Sequence, residues 1–255
     1  MPAMLLTGAS GFLGGHLLEK SSPHWNLTAL SHTRPLPGTL SLDLRDREAV
    51  LALVRARRPR VILHTAANAN LDACQRHPEE AAAVNTTTVA ILLEAAAEVK
   101  ARLILVSTDM VFDGARGLYN EEDEVHPLSV YGATKVEAEH LVLAAPGSHL
   151  VARAALIYGR PRHSGSSFSQ WIENRLHNSQ QVPLYTDQFR SPIWVENLAD
   201  ALLELAGMEY SGLLHLGGAN RIDRYTFATQ LCSAAGYDPA LLQPVSMHTA
   251  VSDTG

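Results

Sequence analysis

The chain is short of cysteine, of net positive charge and of long apolar runs, and each shortage removes a class of function. Its two cysteines, Cys74 and Cys232, stand in no metal-like pairing, which excludes a disulfide-built scaffold and leaves two ordinary reduced thiols. The 12 histidines fall at no ligand spacing, so no metal site is assigned. With 20 Lys and Arg against 26 Asp and Glu, the net charge is -6 and the sequence pI about 6.0. Nothing basic is left over to neutralise phosphates in bulk, which argues against a nucleic-acid or anionic-membrane partner. No apolar run approaches the roughly 18 residues of a membrane span, and the start lacks a charged-then-apolar signal, so the expectation is a cytoplasmic protein. What remains is ordinary: 255 residues, 46% hydrophobic and 18% charged, enough for one large α/β domain with a real core, or for a domain plus a small lobe.

The stretch Leu5-Leu6-Thr7-Gly8-Ala9-Ser10-Gly11-Phe12-Leu13-Gly14 turns an apolar strand into a helix through three glycines spaced three apart. It reads as a phosphate cradle. Gly8 permits the tight turn, Gly11 lets the backbone approach a pyrophosphate, and Gly14 lets the helix pack closely on the sheet. The free N–H groups and positive dipole end of the helix face the phosphates. After the next strand, Asn26 to Ser31, an acidic residue about twenty positions past the glycines would hold the ribose hydroxyls of NAD. The chain has Ser31-His32-Thr33-Arg34 there. Arg34 and Ser31 suit an extra phosphate, so NADP(H) fits better than NAD(H).

Strand and helix patterns then alternate. A helical pattern covers Arg45 to Ala56, a buried strand Pro59 to His64 runs into Thr65-Ala66-Ala67-Asn68, and small residues there let a flat cofactor lie against the backbone. A long Ala-rich helix covers Pro78 to Lys100, interrupted by Asn85, a polar residue on a packed face that needs a partner. Ala101 to Ser107 is a continuous apolar strand of the parallel-sheet kind. The alternation predicts an α/β fold, a doubly wound, Rossmann-type parallel sheet. Residues 1–158 form its dinucleotide-binding domain, and residues 159–255 a smaller, mainly substrate-binding C-terminal lobe with segments returning to the main domain.

Two segments carry the chemistry: Ser107-Thr108-Asp109-Met110-Val111-Phe112-Asp113-Gly114 and Ser129-Val130-Tyr131-Gly132-Ala133-Thr134-Lys135. Tyr131 and Lys135, four apart on a helix, share a face. An ammonium beside a phenol favours the phenolate, so Lys135 is expected to pull the Tyr131 pKa below about 10. Thr108 supplies a hydroxyl at the C-terminal end of a parallel strand, where such sheets bind ligands.

In order, TGASGFLG, HTAA, STDMVFDG and YGATK resemble the motifs of an extended short-chain dehydrogenase/reductase, and STDxVFDG resembles the dTDP-4-dehydrorhamnose reductase subgroup. The resemblance covers roughly residues 1–245. It implies that Tyr131 is the proton donor to a substrate carbonyl, that Lys135 tunes it and holds the nicotinamide ribose, and that Thr108 hydrogen-bonds the substrate oxygen. It further implies that Gly8, Ser10, Gly11, Phe12 and Leu13 line the pyrophosphate, Asp43 and Leu44 the adenine, and Ala66, Ala67 and Asn68 the middle of the cofactor. The resemblance also implies a nucleotide-activated sugar as substrate, as in dTDP-rhamnose biosynthesis, with Thr108, Asp109, Leu156 and Arg190 on its side of the cleft. Leu156 departs from the subgroup, whose members generally carry a Trp in the sugar pocket.

Beyond Gly159, the glycine- and serine-rich stretch Arg160 to Ser167 is expected to be a mobile loop opening the second lobe. A helix from Phe168 to His177 follows, and Arg190, with Arg160 or Arg162, is expected to hold a diphosphate. Ser252, Asp253, Thr254 and Gly255 carry no closing helix, as in a chain that stops short of its natural terminus. A homodimer is compatible with this reading. Two other functions fit the same motifs: a non-catalytic, NADP-binding regulatory subunit similar to the β subunit of methionine adenosyltransferase, and a nucleotide-sugar epimerase. A dehydratase fits less well, because Asp109-Met110 lacks the second carboxylate of such enzymes.

Overall fold

A strand that is apolar along its whole length needs helices on both faces, and the first strand sets this pattern for the chain. The computed structural model describes residues 1–21, 24–163 and 165–250, so the final residues 252–255 lie outside it. Chain order is β1 (Ala3–Thr7), α1 (Phe12–Ser21), β2 (Asn26–Ser31), β3 (Leu40–Ser41), α2 (Arg47–Arg57) and β4 (Val61–His64). Next come α3 (Leu71–Arg76), α4 (Pro78–Ala82), a π-helical turn (Ala83–Thr87), α5 (Thr88–Val99), β5 (Arg102–Thr108), α6 (Val130–Ala144) and β6 (Leu150–Ala154). The remainder is β7 (Ile157–Tyr158), α7 (Phe168–His177), β8 (Val182–Tyr185), β9 (Phe189–Arg190), β10 (Ile193–Trp194), α8 (Val195–Gly207), β11 (Gly212–Leu216), β12 (Ile222–Asp223), α9 (Arg224–Ala235), β13 (Leu242–Val245) and α10 (Met247–Ala250).

Seven strands form one parallel sheet in the order β11-β6-β5-β4-β1-β2-β3. The order reverses between β1 and β4, the position at which sheets of this kind bind their ligands outside the strand ends. On one face, Leu13 and Leu17 of α1 and Leu198 and Leu202 of α8 pack on Met4, Leu6, Leu63 and Ala152. On the other, Val50 and Val54 of α2, Val89 and Leu92 of α5, and Ala138 and Val142 of α6 pack on Leu5, Ile62, Leu103 and Val151. Truncating any of these buried leucines to Ala should cost about 2–5 kcal/mol. A third, smaller core joins α7, β8, α9 and β13 through Ile172, Leu176, Val182, Leu184, Ala228 and Leu242.

The continuous helix predicted over Pro78 to Lys100 is instead broken by the π turn, and Asn85 explains it. Asn85 is fully buried; its Oδ1 accepts from the Asn68 amide at 2.8 Å, and its Nδ2 donates to Asn68 O and Thr134 Oγ1, each at 3.0 Å. The extra residue in the turn aims this amide at the loop after β4, a use typical of π turns. The expectation of no span-length apolar segment is also corrected. Pro78–Val99, 22 residues of mean hydropathy 1.3, is long and apolar enough by length and composition. Its apolar stripe, including Val89, Leu92 and Ala96, is spent on the sheet.

Candidate active site

The glycine turn is forced by backbone contacts. Gly8 has φ +72°, and a Cβ there would lie 2.7 Å from the Ala66 amide nitrogen. A Cβ on Gly14 would lie 2.0 Å from the Gly8 carbonyl oxygen, so only glycine lets α1 start this close to β1. The Gly11 amide donates to Gly8 O at 2.9 Å and closes the turn. The Leu13 side chain is in the core, while Phe12 packs on His16 with ring centroids 5.9 Å apart. These observations fit a dinucleotide pyrophosphate at Gly8, Ser10, Gly11, Phe12 and Leu13.

At the end of β2, Ser31 is buried and bonds Thr39 Oγ1 at 2.7 Å. Arg34 is exposed and makes no ion pair among the described residues. β3 brings Asp43 alongside, 3.8 Å from His32. Asp43 is already held by Arg45, at 2.7 and 3.0 Å, which depresses its carboxyl to about 2. Leu44 packs against the core of that face. Past β4, the Ala66 amide donates to Thr7 Oγ1 at 3.3 Å; Ala67 is exposed, and Asn68 is fixed by Asn85.

Thr108 ends β5 and caps a single helical turn, Asp109–Val111, accepting from the Met110 amide at 3.2 Å. Ser129 caps α6 by accepting from Gly132 N at 3.1 Å, an interaction worth about 1 kcal/mol, and so starts the helix that carries Tyr131 and Lys135. The Tyr131 phenol lies near enough to Thr108 for that hydroxyl to favour its ionised form. Lys135 is 1% exposed.

The electrostatics correct one expectation. Burial pushes the Tyr131 phenol up to about 12, against the pull of Thr108, and the Asp109 carboxylate adds to the rise. The predicted lowering by Lys135 is not found: the groups that favour the phenolate are Thr108 and Arg190, and desolvation exceeds them. Burial also pulls Lys135 down to about 8, with Glu139 opposing. At neutral pH the pair is a protonated phenol beside an ammonium.

On the acceptor side, Arg190 reaches across from β9 to grip Asp109, with Nε to Oδ2 at 2.7 Å and Nη2 to Oδ1. Its expected partners are elsewhere: Arg160 faces Glu173 at 3.4 Å, and Arg162 bridges Glu19 and Glu196 at 3.2 and 2.9 Å. The described part of the loop expected to be mobile is tied to α1, since His16 Nε2 bonds Arg160 O at 2.9 Å and Gly165 packs on Phe12. Leu156 sits between β6 and β7, its carbonyl accepting from Ile193 N at 2.9 Å.

A profile described as the RmlD substrate binding domain matches residues 2–254. The chain belongs to this family. It is 33% identical to the dTDP-4-dehydrorhamnose reductase of Mycobacterium tuberculosis over 95% of this chain and 79% of the relative. It is also 30% identical to methionine adenosyltransferase 2 subunit beta of Xenopus laevis, over 95% of this chain and 75% of that protein. Among solved structures, a hypothetical dTDP-4-dehydrorhamnose reductase from Sulfolobus tokodaii superposes with a TM-score of 0.88 at 29% identity, covering 95% of this chain and 85% of that one. As an RmlD-family member the chain shares the Rossmann-type sheet of these relatives.

Sequence reasoning missed two groups. A groove of about 460 Å³ beside α7 is lined by Phe168, Trp171, Tyr185, Gln188 and Arg224. Arg224 donates to Gln188 at 2.7 Å and lies 4.3 Å over the Phe168 ring, and burial, with the Arg190 charge, depresses it to about 10. No spacing in the sequence joins these residues. The second group is the buried pair Glu139 and Arg153, and here a signal existed: an arginine inside the apolar strand Leu150–Ala154 demands a buried counter-charge.

Proposed function

We propose that this chain is an NADP(H)-dependent reductase of a keto group on a nucleotide-activated sugar, similar in its chemistry to dTDP-4-dehydrorhamnose reductases. The observation that carries the reading is that α6 sets Tyr131 near Thr108 at the end of β5, with Lys135 one helical turn further along the same helix and the glycine turn at the end of β1 in the same sheet. When bound, a nicotinamide dinucleotide supplies the hydride. The chain's own residues do the rest. Thr108 and Tyr131 hydrogen-bond the carbonyl oxygen, and the protonated phenol gives its proton to that oxygen as negative charge develops on it. Lys135 stabilises the phenolate left behind and holds the nicotinamide ribose. Ser31 and Arg34 hold the extra phosphate of NADP(H), Asp43 and Leu44 border the adenine, and Ala66, Ala67 and Asn68 border the middle of the cofactor; NAD(H) is the weaker alternative. Arg190 exchanges Asp109 for the substrate diphosphate, and Leu156 forms the sugar wall.

The test is NADPH consumption on nucleotide-linked keto sugars by the wild type and by Tyr131→Phe. The variant should lose about 10²-fold or more in turnover and keep its NADPH affinity; equal turnover would sink the assignment.

A second reading is favoured by Leu156 and by the ion pair across the acceptor side: a cofactor-binding regulatory subunit. It predicts a stable complex with a methionine adenosyltransferase catalytic subunit and no NADPH oxidation on any keto sugar. If the purified chain instead retained NAD through gel filtration, weight would move to an epimerase.

A further inference from the structure

Beneath the site, helix α6 covers a row of polar side chains where an apolar sheet would be expected. Ser107 on β5, Arg153 on β6 and His215 on β11 are direct cross-strand neighbours, Ser107 opposite Arg153 and Arg153 opposite His215. From α6, Glu139 reaches into the middle of this row. Arg153 grips it with Nε at 3.1 and 3.0 Å and Nη2 at 2.7 Å, and the Ser107 hydroxyl donates to its Oε1. Glu139 is 1% and Arg153 6% exposed. A buried charge pair of this kind rarely adds stability over an apolar pair of the same volume, so its presence asks for a role.

The role follows from what stands one helical turn away. Lys135 and Glu139 are four apart on α6, so they share a face. We propose that Glu139, clamped by Arg153 and Ser107, is a positioning residue of this site: it holds Lys135 as an oriented ammonium beneath Tyr131, and it fixes α6 against β5 so that Tyr131 meets Thr108. The inference rests on the reductase reading for its kinetic consequence, though not for its electrostatics.

The charged and titratable groups around Lys135 and Glu139 fit this; Glu121 accepts from the His215 amide at 2.8 Å, at the far end of the row from Lys135. Facing Lys135 from β4 is His64, 1% exposed, its Nδ1 bonded to Thr7 Oγ1 at 2.7 Å. Burial and the Lys135 charge push His64 down to about 3, so it is neutral and adds no like charge beside Lys135. Asp109 and Cys74, from the turn after β5 and from α3, act on Tyr131. His215 places Nε2 3.3 Å from Arg153 Nη1, and burial and Arg153 both push it toward the neutral form. The carboxylate that raises the Lys135 pKa is Glu139. Arg153 is thus the clamp, Ser107 the second anchor, and Glu139 the charge that Lys135 feels.

The test separates electrostatic positioning from mere structural support. The paired variant Glu139→Met with Arg153→Met removes both charges and keeps an apolar, volume-filling pair, while Glu139→Gln keeps the shape and removes the charge alone. Two readouts are taken on the full chain: an NMR titration of ¹³Cε-labelled lysine for Lys135, and the pH profile of NADPH-dependent turnover. Both variants should titrate Lys135 below the wild-type midpoint of about 8, with the alkaline limb of turnover displaced in the same direction. Glu139→Gln, which leaves Arg153 uncompensated, should show the larger displacement. A folded paired variant with an unchanged Lys135 midpoint would overturn the proposal and leave the pair a structural element. Should the paired variant fail to fold, the titration of Glu139→Gln decides. Absence of reductase turnover in the wild type would count against the function reading, and the lysine titration would still decide this one.

Discussion

The two sides of the cleft are built differently. On the cofactor side, backbone decides: Gly8 sits against Ala66, Gly14 against the Gly8 carbonyl, and the parallel sheet below is sealed on both faces. On the acceptor side, side chains decide: Arg190 is placed by Asp109, Arg224 by Gln188 and Phe168, and two of the supporting ladders are only two residues long. A backbone-built site tolerates almost no change and suits a ligand of fixed shape. A site built from ion pairs can be retuned by single substitutions, which suits the half proposed to choose the substrate.

The comparison breaks most visibly at Gly14. Gly14→Ala should abolish NADPH binding and destabilise the fold by about 1–3 kcal/mol, because its Cβ would sit 2.0 Å from Gly8 O; calorimetry and thermal melting read both effects. On the other side, Arg190→Ala should leave NADPH affinity unchanged and raise KM for the nucleotide sugar about tenfold or more, the loss of one charged bidentate contact. A change in cofactor affinity of similar size would show that the two sides are not separate. Smaller again, Arg34→Ser should weaken NADPH about tenfold, which is ~1.4 kcal/mol, and leave NADH alone. Equal effects on the two cofactors would remove Arg34 from the phosphate site.

The last effect is one of pH, and it is absent at neutrality. The native state keeps His64 neutral down to about 3, while the unfolded chain protonates it near 6.5. Below pH 6.5 the unfolded state therefore binds the extra proton, and stability falls as pH drops from about 6.5 toward 3. His64→Asn should flatten that part of the stability curve in denaturant titrations; an unaltered slope would place the acid sensitivity elsewhere.

The same division governs how much could be read from sequence. The glycine turn, the parallel strands, the helix Phe168–His177 and the Tyr131–Lys135 face are local patterns, and the structure has them where spacing put them. Arg190 and Asp109 lie 81 residues apart, so no window contains their contact. The π turn at Asn85 was visible only as a polar interruption, because its cause, the Asn68 backbone, belongs to another loop. The Tyr131 shift runs against the sequence expectation for a related reason: the spacing to Lys135 is a local feature, whereas burial, the first cause of the rise, is created by the whole fold. Arg153 was the readable exception, a charge inside an apolar strand.

In the proposed reaction Tyr131 completes a hydride transfer started from a cofactor seated on the glycine turn. A single-turnover experiment with NADPH deuterated at the transferred position, on a nucleotide-linked keto sugar, tests it most directly. The wild type should place deuterium on the former carbonyl carbon, and Tyr131→Phe, with the same cofactor affinity, should do so about 10²-fold more slowly or worse. Deuterium absent from the wild-type product, or a Tyr131→Phe rate equal to the wild type, would contradict the account.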